Sequence, residues 1–176
     1  MPTNARFAVA IHTLGMLAFA DELPVSSERI AESVDTNPVT IRRVFQALGR
    51  AGLVVGQMGP NGGARLARDP GAIDLADVWR AVDDGPLFAF PPSGGNPHCA
   101  VSCGVQPVLG EIFDEATAAL ERALSRITLK DVISRVQART GSRSPVACRN
   151  GHAPIVARTE GATSTRRAAP AARARR

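Results

Sequence analysis

The chain has 176 residues and a formal charge of +5, from 21 Lys and Arg against 16 Asp and Glu. That length suits one domain with its own core plus an appendage, and no apolar run is long enough to span a bilayer. The N-terminal stretch "MPTNARFAVAIHTLGMLAFADE" carries one arginine, His12 and no small-residue cleavage site, which argues against a signal peptide and for a cytoplasmic protein.

The chain opens on a helical pattern. Phe7, Ile11, Leu14 and Ala18 recur at steps of four, three and four, one face of a first helix. His12 within it is expected to be packed rather than catalytic. Pro24 ends that element. Ser26 or Ser27 then makes a good N-cap, and Glu28 in the first turn is favoured by the helix dipole. Ile30, Ala31 and Val34 give the second helix a short apolar face. "DTNP" turns the chain, with Asn37 as cap and Pro38 at the first helical position, where its missing N–H would be unpaired anyway. Ile41, Val44, Phe45 and Leu48 follow the i, i+3, i+4, i+7 pattern of a buried face, and Gly52 is the expected stop.

The opposite side of this third helix carries chemistry. Val39, Arg43, Gln46 and Arg50 lie across from the buried face, flanked by Thr40 and Arg42. Arg can read guanine N7 and O6, Gln can read adenine, and a methyl can meet the thymine methyl. A major groove asks for such a set, although a merely solvated face has the same composition. "LVVGQMGPNGGARLAR" then reads as strand, glycine-rich turn, strand. Two helices, a helix with a basic outer face and a β-hairpin make a winged helix-turn-helix. The tip, Gly59 to Gly63 with Asn61 and Gly62 inside it, has little bulk and can approach DNA, with Arg65 and Arg68 beside it. A nucleotide-binding loop is excluded, since no Lys–Ser/Thr follows and no helix opens there.

Downstream, Ile73 and an Asp74 cap precede a helix from about Leu75 to Val82, with Leu75, Val78, Trp79 and Val82 on its apolar face and Trp79 as a core anchor. The glycine- and proline-rich "DGPLFAFPPSGGNPHCAVSC" is a loop whose Leu87, Phe88 and Phe90 should pack on something. A long helix is expected from about Val105 to Ile127. Leu109, Phe113, Ala116, Leu120, Ala123 and Ile127 alternate steps of four and three, a short heptad seam that calls for a partner helix. Pairing about this seam would place two reading heads on a palindromic operator. Thr128 and Asp131 in "TLKD" form a capping-box variant that starts a last helix through Leu129, Val132, Ile133 and Val136. From Ala138 to Arg176 there are nine arginines and one acid, a net +8 that leaves −3 on the 137 residues before it. This tail is expected to be disordered, and Cys148 and His152 in it are expected to be incidental.

The stretches "RFAVAIHTLGMLA", "RIAESVDTNPVTIRRVFQALGRAGLV", "GPNGGARLARDPGAIDLADVWRAV", "NPHC" and "LERALSRITLKDVI" together resemble the Rrf-two (Rrf2) family of bacterial winged helix-turn-helix regulators. The resemblance implies a dimer with a long crossed helix. It also implies operator contacts from Pro38 to Gln46 and from Gly59 to Arg65, with Arg6 at a basic position that can touch phosphate. Family members that hold an iron–sulfur cluster use three cysteines in the loop before the long helix. Here that loop has Cys99 and Cys103, and "NPHC" looks more like the cluster-free branch.

The expected architecture is therefore mainly α with a small β-hairpin wing. A winged helix-turn-helix spans 1–83, a sensor-type loop 84–104, dimerisation helices 105–137 and a basic tail 138–176. The expected function is a dimeric repressor that binds double-stranded DNA, with no metal and no resident cofactor. Its three cysteines should be thiols or ligands rather than disulfides, and the pair Cys99 and Cys103 is a candidate thiol switch if the loop bends. One alternative is an iron–sulfur or metal sensor of the same fold, completed by His98 or Cys148. Another is a winged-helix module that binds protein. A thiol-redox enzyme would need a Cys-x-x-Cys opening a helix in a βαβ pattern, and the chain has neither.

Overall fold

The structure, a computed structural model, describes residues 3–59, 62–82, 85–90, 96 and 98–141. Asn61, Cys148, His152 and the arginine-rich tail from 142 lie outside the described residues. Among the described residues, six helices and one hairpin run in the order α1 (Thr3–Phe19), α2 (Ser27–Val34), α3 (Pro38–Arg50), β1 (Val54–Gln57), β2 (Gly63–Leu66), α4 (Leu75–Val82), α5 (Ala100–Leu124) and α6 (Leu129–Thr140). A short 3-10 turn at Pro70–Ala72 precedes α4.

Helix α1 is the hub, packed by α2, α3, α4, α6 and β2. A helix covered from several sides must be apolar on several sides. Val9, Ala10, Leu14, Met16 and Leu17 are accordingly buried, whereas Phe7, Ile11 and Ala18 of the expected stripe are only partly so. His12 is the other departure. It is exposed, and its Nε2 lies 3.0 Å from the Ser33 hydroxyl of α2.

Local chemistry sets the boundaries of the next helices. Ser26 caps α2 by accepting from Arg29 N–H, and Asn37 caps α3 by accepting from Val39 N–H at 2.8 Å. Pro38 occupies the first turn of α3. Gly52 follows its end at φ +67, a left-handed conformation that glycine adopts without a Cβ penalty. The buried side of α3 is Ile41, Val44 and Leu48, with Phe45 half-buried. Asp74 caps α4 by accepting from Asp77 N–H at 2.8 Å. Every apolar residue expected on α4 is buried, and Trp79 meets the Phe7 ring edge-on at 5.2 Å between centroids.

The hairpin pairs antiparallel from Val54 with Leu66 to Gln57 with Gly63. A further rung ties it to the chain before α2. Val25 and Ala64 exchange N–H···O bonds at 2.9 and 3.0 Å. This contact explains Gly63 better than groove access does, because a Cβ there would lie 2.4 Å from the Val25 carbonyl oxygen.

Two departures concern the C-terminal helices. The long helix starts at Ala100 and ends at Leu124, not at Val105 and Ile127, so Cys103 is helical and Ile127 falls outside. Ile127 instead presents its carbonyl to Leu75 N–H at 2.9 Å, and Leu129 N–H donates to Ile73 at 2.8 Å. These bonds clamp the start of α6 to the start of α4. Helix α6 then folds back on α1, with Leu129 fully buried and the Thr128–Asp131 capping box formed in both directions. Val136, expected on its apolar face, is exposed. Helix α5 contains no buried residue and projects from the head.

Candidate nucleic-acid interface

The outer face of α3 is open. Val39 is 48% exposed, Arg42, Arg43, Gln46 and Arg50 are all exposed, and Pro38 and Thr40 are partly so. Burying Ile41, Val44 and Leu48 forces this outcome, since the residues between them must point the other way. The face is presented on a helix that is clamped at its start by the Asn37 cap and at its end by Gly52.

Its cations are not equivalent. Arg43, Arg50 and Arg65 make no hydrogen bond or ion pair among the described residues. Arg42 is held by Glu28 of α2 in a close ion pair. Glu28 also accepts from the Ser27 hydroxyl at 3.1 Å. Its own backbone N–H, then Arg42 and Ser27, hold its carboxyl below the ordinary carboxylate value, so it stays charged opposite Arg42. The pair restrains Arg42 from reaching a base or phosphate freely. Glu28→Gln should therefore raise affinity for arbitrary duplex DNA a few-fold at low salt. A fluorescence-anisotropy titration in which affinity is unchanged or falls would show that the pair does not restrain Arg42.

Arg6 and Arg68, the other candidate phosphate contacts, are engaged in the fold. Arg6 donates to the Val82 carbonyl at 3.3 Å, at the end of α4. Arg68 donates to the Ala51 carbonyl at 3.2 Å and lies 3.6 Å from Asp77. Sequence spacing gave no sign of these partners, because each is remote along the chain.

The wing flanks the same face. Met58 at its tip is fully exposed and Gly59 adopts φ +122, a conformation that L side chains rarely adopt. Gly62 is also constrained, since a Cβ there would lie 2.5 Å from the Gln57 carbonyl oxygen. At Gly59 and Gly62 the tip therefore offers backbone rather than side chains. Met58 is the one bulky group on it among the described residues, and the glycine content of the turn gives no sign of it.

Cys99 is the N-cap of α5 and Cys103 lies in its first turn, both exposed. Cys103 N–H donates to the Cys99 carbonyl at 3.0 Å. Cys99 keeps an extended backbone (φ −104, ψ 116), so the pair straddles the boundary between the loop and the helix.

A family model described as "Iron-dependent Transcriptional regulator", Rrf2, matches residues 3–135. The chain belongs to the Rrf2 family. YwnA of Bacillus subtilis, named as an HTH-type transcriptional regulator, is 40% identical over 134 residues, which covers 76% of this chain and 98% of YwnA. NsrR of Bacillus licheniformis, also named as an HTH-type transcriptional regulator, is 32% identical over 111 residues, 62% of this chain and 75% of NsrR. A crystal structure of a protein described as DNA-binding aligns with TM-score 0.59 at 39% identity, over 73% of this chain and 98% of the other. CymR of B. subtilis, described as the global cysteine regulator, shares the fold with TM-score 0.53 at 23% identity, over 74% of this chain and 94% of CymR.

Among the described residues the iron in the Rrf2 description finds no donor set. Iron–sulfur clusters are held by about four ligands, mostly thiolates. Among the described residues no group of three or more His, Cys, Asp or Glu is placed to hold a metal ion. Cys99 and Cys103 are the cysteines among them, neither in a disulfide, and His98 does not join them in such a group.

Proposed function

We propose that this Rrf2 protein binds operator DNA as a dimer and represses transcription. The α3 outer face enters the major groove, and the wing backbone lies along the adjacent phosphates. The observation that carries this reading is the unpaired state of Arg43 and Arg50 beside exposed Gln46 on a rigidly capped helix. Winged-helix likeness to a protein described as DNA-binding supports the same choice.

Helix α5 supports the dimer. Val101, Val105, Val108 and Ile112 are 72%, 39%, 56% and 51% exposed. They alternate steps of four and three, a seam turned by one residue from the expected Leu109, Phe113, Ala116 and Leu120. Of the expected set, Phe113 is covered by Phe88 and Phe90, Leu109, Ala116 and Leu120 are half-buried, and Ala123 is exposed. Four large apolar side chains in line on a protruding helix are costly to leave in water. A second copy with its own α5 covers them and sets two α3 helices against a two-fold operator.

This reading does not draw on the two cysteines. Sedimentation equilibrium tests the dimer. Wild type should weigh two chains, and Val105→Asp with Ile112→Asp should weigh one, with its far-ultraviolet circular dichroism kept. A monomeric wild type at micromolar concentration would refute it.

A further inference from the structure

A cavity of about 500 Å3 opens between the segment 86–90 and the middle of α5. Its size falls in the range of roughly 300–1,000 Å3 typical of small-molecule sites. Three of the six phenylalanines of the chain meet at it. Phe88 stacks on Phe113 with centroids 4.6 Å apart, and Phe90 tilts against the same ring at 5.3 Å. Phe88 and Phe90 remain 39% and 41% exposed, so their rings are available to a ligand. Gly110 opens the helix side of the cavity. A Cβ built there meets no atom within 4 Å.

The polar part of the lining is small and one-signed. Asp114 is the one charged residue of the described lining, and it makes no ion pair or hydrogen bond among the described residues. The Thr117 hydroxyl proton is already given to the Phe113 carbonyl at 2.8 Å. What remains is an unpaired carboxylate beside several aromatic faces. Ring faces carry partial negative charge and attract cations. An anion would be repelled by both features, and a neutral molecule would gain only from apolar burial.

We propose that this cavity binds a small organic cation, an apolar amine or quaternary ammonium whose charge lies against Asp114 and the phenylalanine faces. Binding depends on neither the operator nor the dimer reading. Its position gives it a consequence all the same. The cavity joins the segment that leaves the head after α4 to the helix that projects from it, so an occupant bridges the two.

The test is a calorimetric titration of the full chain with benzyltrimethylammonium, benzyl alcohol and benzoate. The cation should bind about tenfold or more tightly than benzyl alcohol, and benzoate should not bind. Asp114→Asn should weaken the cation about tenfold, while Glu111→Gln, an exposed acid outside the lining, should leave it unchanged. Gly110→Leu fills the cavity from a helix position that tolerates it, and should abolish binding with helix content intact. Equal affinity for benzyl alcohol, undetectable binding to wild type, or binding that survives Gly110→Leu would each overturn the proposal.

Discussion

Arg43→Ala should weaken binding to the protein's own operator by about 1–3 kcal/mol, roughly 5- to 150-fold. The side chain is exposed at the centre of the α3 outer face and makes no hydrogen bond or ion pair among the described residues. Removing it should therefore disturb the proposed DNA contact and little else. Gln46 lies one turn on, and Gln46→Ala should cost a similar amount with a different base preference. Fluorescence anisotropy at fixed salt on the operator and on a scrambled duplex separates the two effects. A base contact appears as a loss larger on the operator than on the scrambled duplex. Arg65 beside the wing behaves differently if it meets phosphate: Arg65→Ala should weaken both duplexes alike and reduce the salt slope by about 1. An equal loss on both duplexes for Arg43→Ala would move that residue from reading to positioning.

Trp79→Ala should destabilise the head by about 3–5 kcal/mol. Trp79 is 5% exposed and meets Phe7 edge-on, so it joins α4 to α1, the helix around which the head is built. Losing it removes a large buried area, opens a void between these helices and forfeits an aromatic pair worth about 0.5–1.5 kcal/mol beyond its area. A domain with about 5–15 kcal/mol of stability has little left after such a change. Urea unfolding followed by circular dichroism measures it directly. A midpoint shift equivalent to under about 1 kcal/mol would mean that α4 is not anchored through this ring.

The head was legible in the sequence because its signals are local. The Asn37–Pro38 start, the Gly52 stop, the Asp74 cap and the Thr128–Asp131 box each act within a few residues, and each stands where the chain said. The apolar face of α4 was readable for the same reason. Helix α1 was not, since five elements pack on it and its burial no longer follows one stripe. What the sequence withheld in the candidate site was the state of its cations. Arg42 meets Glu28 fourteen residues away, and Arg6 meets Val82 across the whole head. Periodicity cannot distinguish a free arginine from one already engaged. The long helix was misplaced for a related reason. A heptad pattern marks which residues could share a seam, yet Phe113 was taken by its own chain and the open apolar line lies one residue over.

Whether two copies of this head read DNA through α3 on a two-fold site is tested most directly by hydroxyl-radical footprinting of the full chain on its own promoter region. The prediction is two protected half-sites related by a dyad, with centres separated by about 10–10.5 base pairs or a multiple of that repeat, both lost in Arg43→Ala with Gln46→Ala. A single unsymmetrical patch, or protection that survives the double substitution, would contradict it.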